Sequence, residues 1–179
     1  MLVEVRVQSL ALDRTTNTPV VILQEVGGDR VLPIWIGPGE ASAIAMQLAE
    51  MEFSRPLTHD LLCSVLQSLG GTLQKVIITR VEKSTYYAEL IVRRNGDVYS
   101  LDARPSDSIA VALRVDARIF ADDGLLEGAS IEISDEEITG TGESQQRRDV
   151  LDPEASMDAR ELKEYLRGLN PEDFGRFTP

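Results

Sequence analysis

The pattern of apolar and polar positions predicts three strands in the first part of the chain. Residues 3–7 read Val-Glu-Val-Arg-Val, and this strict alternation is typical of a strand with one buried face. Residues 20–23 are apolar without interruption, which predicts a strand covered on both faces. The Gly-Gly-Asp sequence at 27–29 predicts a hairpin turn, because glycine tolerates positive φ, and residues 31–36 form the returning strand.

Helical spacing replaces this alternation further along the chain. Residues 38–51 are predicted to form a helix, because apolar side chains recur there at intervals of three and four. A second helix is predicted to begin with Thr58 as its N-cap and to end at Leu69, just before two glycines. Its predicted buried stripe consists of Leu62, Val65, Leu66 and Leu69.

The second half of the chain repeats this order of elements. Its predicted strands cover residues 76–78, 86–92 and 98–103. Asn-Gly at 95–96 is typical of a tight hairpin between the last two of them. Pro105 then begins a predicted helix, whose apolar run continues to Arg114. Residues 118–121 predict one further short strand.

The spacing of the two halves predicts an internal duplication. The interval from Pro38 to Pro105 equals the interval from Glu40 to Asp107, and each proline follows the end of a predicted strand. We therefore predict an α+β fold made of duplicated β-β-β-α units, with a mixed or antiparallel sheet covered by helices. The two repeats span about residues 1–70 and 71–134.

The character of the chain changes after the predicted domain at 1–134. Residues 135–152 are acidic and rich in Gly, Ser, Thr and Gln, which predicts a flexible linker. Residues 153–179 predict a short helical tail, because Asp152 and Pro153 fit the cap and first position of a helix. This C-terminal tail is expected to dock loosely or to bind a protein partner.

Composition and charge limit the classes of function. The formal net charge of −12 argues against tight, non-specific binding of nucleic acid, but it allows an enzyme that binds such a substrate weakly. The single cysteine, Cys63, excludes an intrachain disulfide and is expected to be inert packing. Because neither a signal peptide nor a membrane-spanning run is evident, a cytoplasmic protein without a membrane partner is predicted.

Three short motifs resemble the bifunctional nuclease domain family. They are residues 32–37 together with Glu40, residues 55–61, and residues 102–110. Their order and spacing make the resemblance specific over about residues 1–134. It implies a cytoplasmic α+β domain that self-associates into a homo-oligomer and cuts both RNA and DNA.

Carboxylates at the two strand-to-helix corners are candidate metal ligands. Phosphodiester hydrolysis needs an activated water, charge stabilisation on phosphate and help for the leaving oxygen, and carboxylates holding Mg²⁺ or Mn²⁺ can supply all three. The predicted ligands are Glu40, Asp102 and Asp107. If the repeats pack about a pseudo-two-fold axis, Glu40 and Asp107 could converge. The structural alternative is that both are first-turn acids that complement helix dipoles.

Four residues are candidates for proton transfer and two for phosphate binding. His59 is the one histidine of the chain, and we predict a catalytic set of His59, Asp60, Asp102 and Asp107. The predicted substrate-binding residues are Arg55 and Arg104, since a guanidinium can hold phosphate through paired N–H groups. As structural alternatives, His59 could be a hydrogen-bonded framework group, Arg104 could neutralise Asp102, and Arg55 could neutralise Asp60.

Two hypotheses of function therefore follow from the sequence. The first is a nuclease that hydrolyses phosphodiester bonds of DNA and RNA with help from a divalent metal. The second is a non-catalytic regulatory or scaffolding module that binds protein or a small ligand, which the acidic charge favours.

Overall fold

The computed structural model describes residues 1–13 and 16–129. Within these ranges the chain forms seven strands and four helices. The strands are β1 (Leu2–Asp13), β2 (Thr18–Glu25), β3 (Val31–Trp35), β4 (Gly71–Glu82), β5 (Thr85–Arg94), β6 (Asp97–Ala103) and β7 (Arg118–Asp122). The helices are α1 (Pro38–Leu48), α2 (Thr58–Ser68), α3 (Pro105–Val115) and a short α4 over residues 123–129.

All seven strands form one mixed sheet in the order β3-β2-β1-β7-β4-β5-β6. Every neighbouring pair is antiparallel except β4 and β7, which run parallel. Each side of β7 thus holds three consecutive antiparallel strands followed in the chain by a helix. The predicted α+β class and mixed sheet are confirmed, whereas the duplication of one half from the other stays a prediction.

The short strand β7 joins the two halves of the sheet. Ile119 on β7 is the register partner of Val5 on β1 and of Val76 on β4. All three side chains are buried, as expected for neighbours at the centre of a sheet. The sequence predicted a strand here, but it contained no sign that this strand would occupy the middle of the sheet.

Helix α3 is the central helix of the covering layer. It packs against α1, against α2 and against strands β4, β5 and β7. Residues 108–112 are all buried, which explains why this helix is apolar on most of its surface. The small side chains Ser108, Ala110 and Ala112 allow neighbouring elements to approach it closely.

Helix α2 differs from its prediction in two respects. Its N-cap is Leu57 rather than Thr58, and the Asp60 carboxylate accepts a hydrogen bond from the Leu57 backbone N–H at 2.8 Å. The predicted buried stripe is wrong, because only Cys63 of this helix is buried. Leu66 is partly buried against the core. Burial raises the pKa of the Cys63 thiol, in keeping with a packing role.

Four large apolar side chains of α2 and of its C-cap residue point away from the core and form what we call the α2 face. Its members are Leu61, Leu62, Val65 and Leu69, whose exposed fractions are 54%, 45%, 46% and 59%. The helix packs mainly against α3 and β4, and these four side chains stay exposed within the described part of the chain. Periodicity therefore identified an apolar face correctly but not what lies against it.

Two further predictions concern the chain ends and membranes. None of the helices in the described ranges combines the length and the hydropathy needed to cross a membrane. The predicted acidic linker at 135–152 and helical tail at 153–179 lie outside the described residues.

A buried arginine ties the three long helices together. The Arg114 side chain is only 6% exposed, and its Nε donates to Asp60 Oδ1 at 2.5 Å. Its Nη1 donates to the carbonyls of Ala110 at 2.9 Å and Ala43 at 3.3 Å. These partners lie on α2, α3 and α1 respectively. A buried guanidinium is tolerated only when it is paired and hydrogen-bonded in this way.

We expect Arg114→Ala to lower the free energy of unfolding by about 3 kcal/mol, because it leaves the Asp60 carboxylate without its cation. Urea denaturation followed by circular dichroism measures this change. The matched control is Arg118→Ala, since the Arg118 side chain is 70% exposed and lies 3.7 Å from Glu4. The control should lose less than about 1 kcal/mol. Equal losses for the two variants would contradict the role assigned to Arg114.

Candidate active site

Two strand-to-helix corners meet on the helical side of the sheet. At each, a proline occupies the first helical turn and the preceding residue is extended, as proline requires. Arg104 is the N-cap of α3, and Gly37 is the N-cap of α1. Glu40 and Asp107 occupy the first turns, where the helix dipole favours an anion. A Cβ atom on Gly37 would collide with the Glu40 carboxylate, so glycine leaves room for that side chain.

The Arg104 guanidinium connects the two corners. Its Nε and Nη2 donate to the two carboxylate oxygens of Asp107 at 2.7 and 3.1 Å. Its Nη1 donates to Glu40 Oε1 at 2.7 Å. The structure thus brings Glu40 and Asp107 together, with Arg104 between them. Because a guanidinium carries five N–H groups and Arg104 is 65% exposed, donors remain for a further acceptor.

His59 joins this cluster from α2. Its Nε2 lies 3.1 Å from Asp107 Oδ1, and its side chain is 14% exposed. Burial acts to raise the pKa of Asp107, but hydrogen bonds from Arg104 and His59 outweigh it and lower that pKa below its usual value. Asp107 is therefore a carboxylate at neutral pH and can only accept. The contact therefore requires that Nε2 of His59 carries a hydrogen and donates it to Asp107.

Asp60 is adjacent to His59 in the chain but has a different environment. Its Oδ1 binds Arg114 and its Oδ2 binds the Leu57 N–H, so both oxygens are occupied. Burial would raise the pKa of Asp60, but these hydrogen bonds lower it. Asp60 does not line the cavity described next. Its geometry is that of a group that fixes the start of α2.

A cavity of about 550 Å³ opens beside the His59–Asp107 pair. It lies between α2, the β5–β6 hairpin and α3. The lining residues are Thr58, His59, Leu62, Thr85, Tyr86, Tyr87, Leu90, Asp102, Ala103, Arg104, Asp107 and Val111. A concave site of this size with a few convergent polar groups is typical of a binding or active site.

The remaining sequence candidates divide between this cavity and the surface. Asp102 lines the cavity and lies opposite Glu89 in the β5–β6 pair. Arg55 is exposed in the segment between α1 and α2, and within the described part of the chain it neither lines the cavity nor forms an ion pair. The alternative in which Arg55 neutralises Asp60 is replaced by Arg114. Arg104 likewise pairs with Glu40 and Asp107 rather than with Asp102.

The sequence did not identify Tyr86 and Leu90 as residues that line a site, nor Arg114 as a residue that holds the helices around it. The two apolar residues are ordinary positions of a strand, and only the packing of α2 beside β5 gives them a cavity to line. Arg114 did carry a signal. It ends an apolar run two helical turns after Asp107, so a charge on that face needed a partner.

The three predicted metal ligands do not form a ready metal site as they are arranged. Among the residues that the structure describes, no group of three or more His, Cys, Asp and Glu is placed to hold a metal ion. Glu40 and Asp107 instead direct oxygens at Arg104. Two carboxylates paired with one guanidinium nevertheless leave an excess of negative charge. Mg²⁺ or Mn²⁺ at Glu40, Asp102 and Asp107 stays a prediction.

Comparison with known proteins places this corner-and-cavity arrangement in a family. A model described as the bifunctional nuclease domain matches residues 21–134, which hold both corners, α2 and every residue that lines the cavity. The chain belongs to the bifunctional nuclease domain family. This confirms the resemblance recognised from the three motifs.

Two kinds of relative accompany this match. An uncharacterized protein of Mycobacterium tuberculosis is 40% identical over 176 residues, covering 96% of this chain and 97% of its own length. Bifunctional nuclease 2 of Arabidopsis thaliana is 26% identical over 101 residues, which is 55% of this chain and 31% of the plant protein. Bifunctional nuclease 1 of the same plant is 24% identical over 105 residues, which cover 57% of this chain and 32% of the length of the plant protein.

We expect acid to destabilise this cluster. The pKa of Asp107 is lower in the folded state, so its contribution to stability is present above its unfolded pKa and disappears as pH falls through the folded value. Urea midpoints should be steady near neutrality and should fall below about pH 4. The Asp107→Asn variant should be less stable than the parent at pH 7, and its stability should fall less than that of the parent on acidification.

The control for this experiment is Asp97→Asn at the exposed β5–β6 turn, where the carboxylate has no ion pair among the described residues. It should follow the parent at every pH. If the urea midpoint of Asp107→Asn runs parallel to that of the parent over the whole pH range, the ion pair between Asp107 and Arg104 does not contribute to stability as we expect.

Proposed function

We propose that this protein hydrolyses phosphodiester bonds of DNA and RNA in the cavity beside His59. The observation that carries the proposal is the contact of His59 and Arg104 with one carboxylate, Asp107, at the edge of a cavity in a bifunctional nuclease domain. The plant relatives named as bifunctional nucleases support the reaction class.

Each member of the cluster receives one role. His59 Nδ1 accepts a proton from the attacking water as the water oxygen bonds to phosphorus, while Asp107 holds the ring through Nε2 and stabilises the cation that forms. The P–O bond to the leaving oxygen breaks, and that oxygen takes up a proton from solvent. The unused N–H groups of Arg104 bind a phosphate oxygen. Glu40 positions Arg104. Asp102 is a second carboxyl side chain within the cavity, in addition to that of Asp107. Asp60 has a positioning role, because its two carboxylate oxygens bind the Leu57 N–H and Arg114 and thereby hold the start of α2.

Metal assistance is the finer part of the proposal. The excess of carboxylates over cations at this corner favours a divalent ion, which would offset charge repulsion when the phosphate of a substrate approaches. Since two of the three candidate ligands already bind Arg104, we derive no step through the metal. The assay below tests the dependence on Mg²⁺ or Mn²⁺ directly.

We expect His59→Asn to lower kcat by about 100-fold or more on both DNA and RNA, because it removes the group that moves the proton. Arg104→Ala should raise KM by about tenfold through the loss of a charge-assisted hydrogen bond to phosphate. Cleavage of end-labelled oligonucleotides measures both effects.

The matched control for Arg104→Ala is Arg94→Ala, an exposed arginine at the far end of β5. It should cleave as the parent does. Preparations of equal purity in which His59→Asn cleaves as fast as the parent would refute the assigned site and indicate a contaminating nuclease. Loss of activity in EDTA with recovery on adding Mg²⁺ or Mn²⁺ would support metal assistance, and full activity in EDTA would exclude it.

The exposed α2 face favours a second, compatible proposal. We propose that two copies of the chain associate through this face, since three of its four apolar side chains, those of Leu61, Val65 and Leu69, line no cavity described here and are otherwise left in water. The same surface would serve the regulatory or scaffolding alternative, in which it binds another protein.

We expect Val65→Glu to shift the protein toward monomer, because a charge at the centre of an apolar contact is strongly disfavoured there. Light scattering at micromolar concentration measures the shift. Val26→Glu is the control, since Val26 is 51% exposed at the β2–β3 turn and lies outside the α2 face. A parent protein that is strictly monomeric under these conditions would contradict self-association.

A further inference from the structure

The cavity beside His59 has two chemically different ends, and we infer that its apolar end is a subsite for one unpaired nucleobase. The polar end presents His59, Arg104 and Asp107, where the proposed reaction needs a phosphate. The apolar part of the lining comes from Leu62 and Val111, which lie one turn further along α2 and α3, and from Tyr86 and Leu90 on β5. This inference rests on the proposed function and adds the substrate class, which is single-stranded DNA or RNA.

The position of Tyr86 follows from the alternation of strand β5. Tyr86 packs against the main core on the helical side of the sheet, and Leu90, four residues further, lies on the same side. Tyr87 also contributes to the cavity lining, but strand alternation directs its side chain to the other side of the sheet, where the Arg80 guanidinium stacks 4.1 Å from the centre of its ring. Among the aromatic residues that line the cavity, Tyr86 is therefore the one whose side chain lies on the helical side of the sheet, and we assign the contact with the base to it.

Electrostatics alone gives this site little affinity for a polyanion. The chain carries a net charge of −12, and the polar end of the cavity holds more carboxylates than cations. Few counterions would be released from the nucleic acid on binding. Contacts with the base must therefore supply much of the binding free energy, and stacking on an aromatic ring is worth about 1–3 kcal/mol per base.

Only an unpaired base can make those contacts. A base within a duplex has both flat faces stacked on its neighbours, and exposing it requires unpairing and unstacking. A cavity of about 550 Å³ is in the usual size range for a small-molecule site and is walled by α2, β5 and α3. Because the apolar wall presents few hydrogen-bonding groups, the subsite should accept all bases with little preference.

The experiment measures binding by the full-length His59→Asn protein, which avoids cleavage, with and without Mg²⁺. The probes are a ten-nucleotide single-stranded DNA that contains one 2-aminopurine and the same strand annealed to its complement. We expect the single strand to bind at least tenfold more tightly, with a change in 2-aminopurine fluorescence. The slope of log affinity against log salt should be no steeper than about −1.

Variants of two tyrosines decide whether the subsite is where we place it. Tyr86→Ala in the same background should weaken single-strand binding by about tenfold, and Tyr86→Phe should retain it within about twofold because the ring remains. Tyr99→Ala is the matched control, since Tyr99 is 48% exposed on β6 and does not line the cavity. It should bind as its parent does.

The outcomes separate this inference from the proposed function. Equal binding by Tyr86→Ala and Tyr99→Ala, equal binding of single strand and duplex, or no binding of the single strand would each overturn the subsite. A parent protein that cleaves nucleic acid in any of these cases would keep the proposed function. Binding that depends on Tyr86 in a protein without cleaving activity would keep the subsite and refute the nuclease.

Discussion

The structure depends on the burial of one guanidinium. Arg114 lies at the end of the apolar central helix, and its hydrogen bonds reach α1, α2 and α3 at once. A cation in this position constrains its surroundings, because any arrangement of the helices that leaves it unpaired would cost several kcal/mol. Its partner Asp60 also holds the first turn of α2 through the Leu57 N–H. His59 directly precedes Asp60 in the chain. The Arg114–Asp60 contact that fixes the helices therefore also fixes the position of the proposed proton-transfer group.

Asp107 shows how structural and chemical roles can coincide in one side chain. As a first-turn acid it complements the dipole of α3, as a bidentate partner it fixes Arg104, and as an acceptor it determines which nitrogen of His59 carries the proton. The structural interpretation of this residue and its proposed functional role are therefore compatible. A carboxylate held by three independent interactions is well ordered, and such order is what a preorganised site requires.

The acidic charge of the chain and its membership in a nuclease family are compatible for the same physical reason. Proteins that bind nucleic acid tightly and without specificity use an excess of Lys and Arg to displace counterions. This cavity instead combines one partly exposed arginine with an apolar wall. Such a site would suit weak and transient contact with flexible single strands, and in our proposal the base and the phosphate bind to different parts of the cavity.

The sequence by itself determined the local elements, because their signals are local. Alternation and helical spacing identified the strands and the helices, and the two prolines identified the corners that carry Glu40 and Asp107. Tertiary structure alone decided that β7, five residues long, is the centre of the sheet and that Arg104 joins the two corners. It also decided that α2 exposes its leucines and that Tyr86 faces a cavity. These features depend on contacts between residues far apart in the chain, and periodicity reports only that a face is apolar, not which partner covers it.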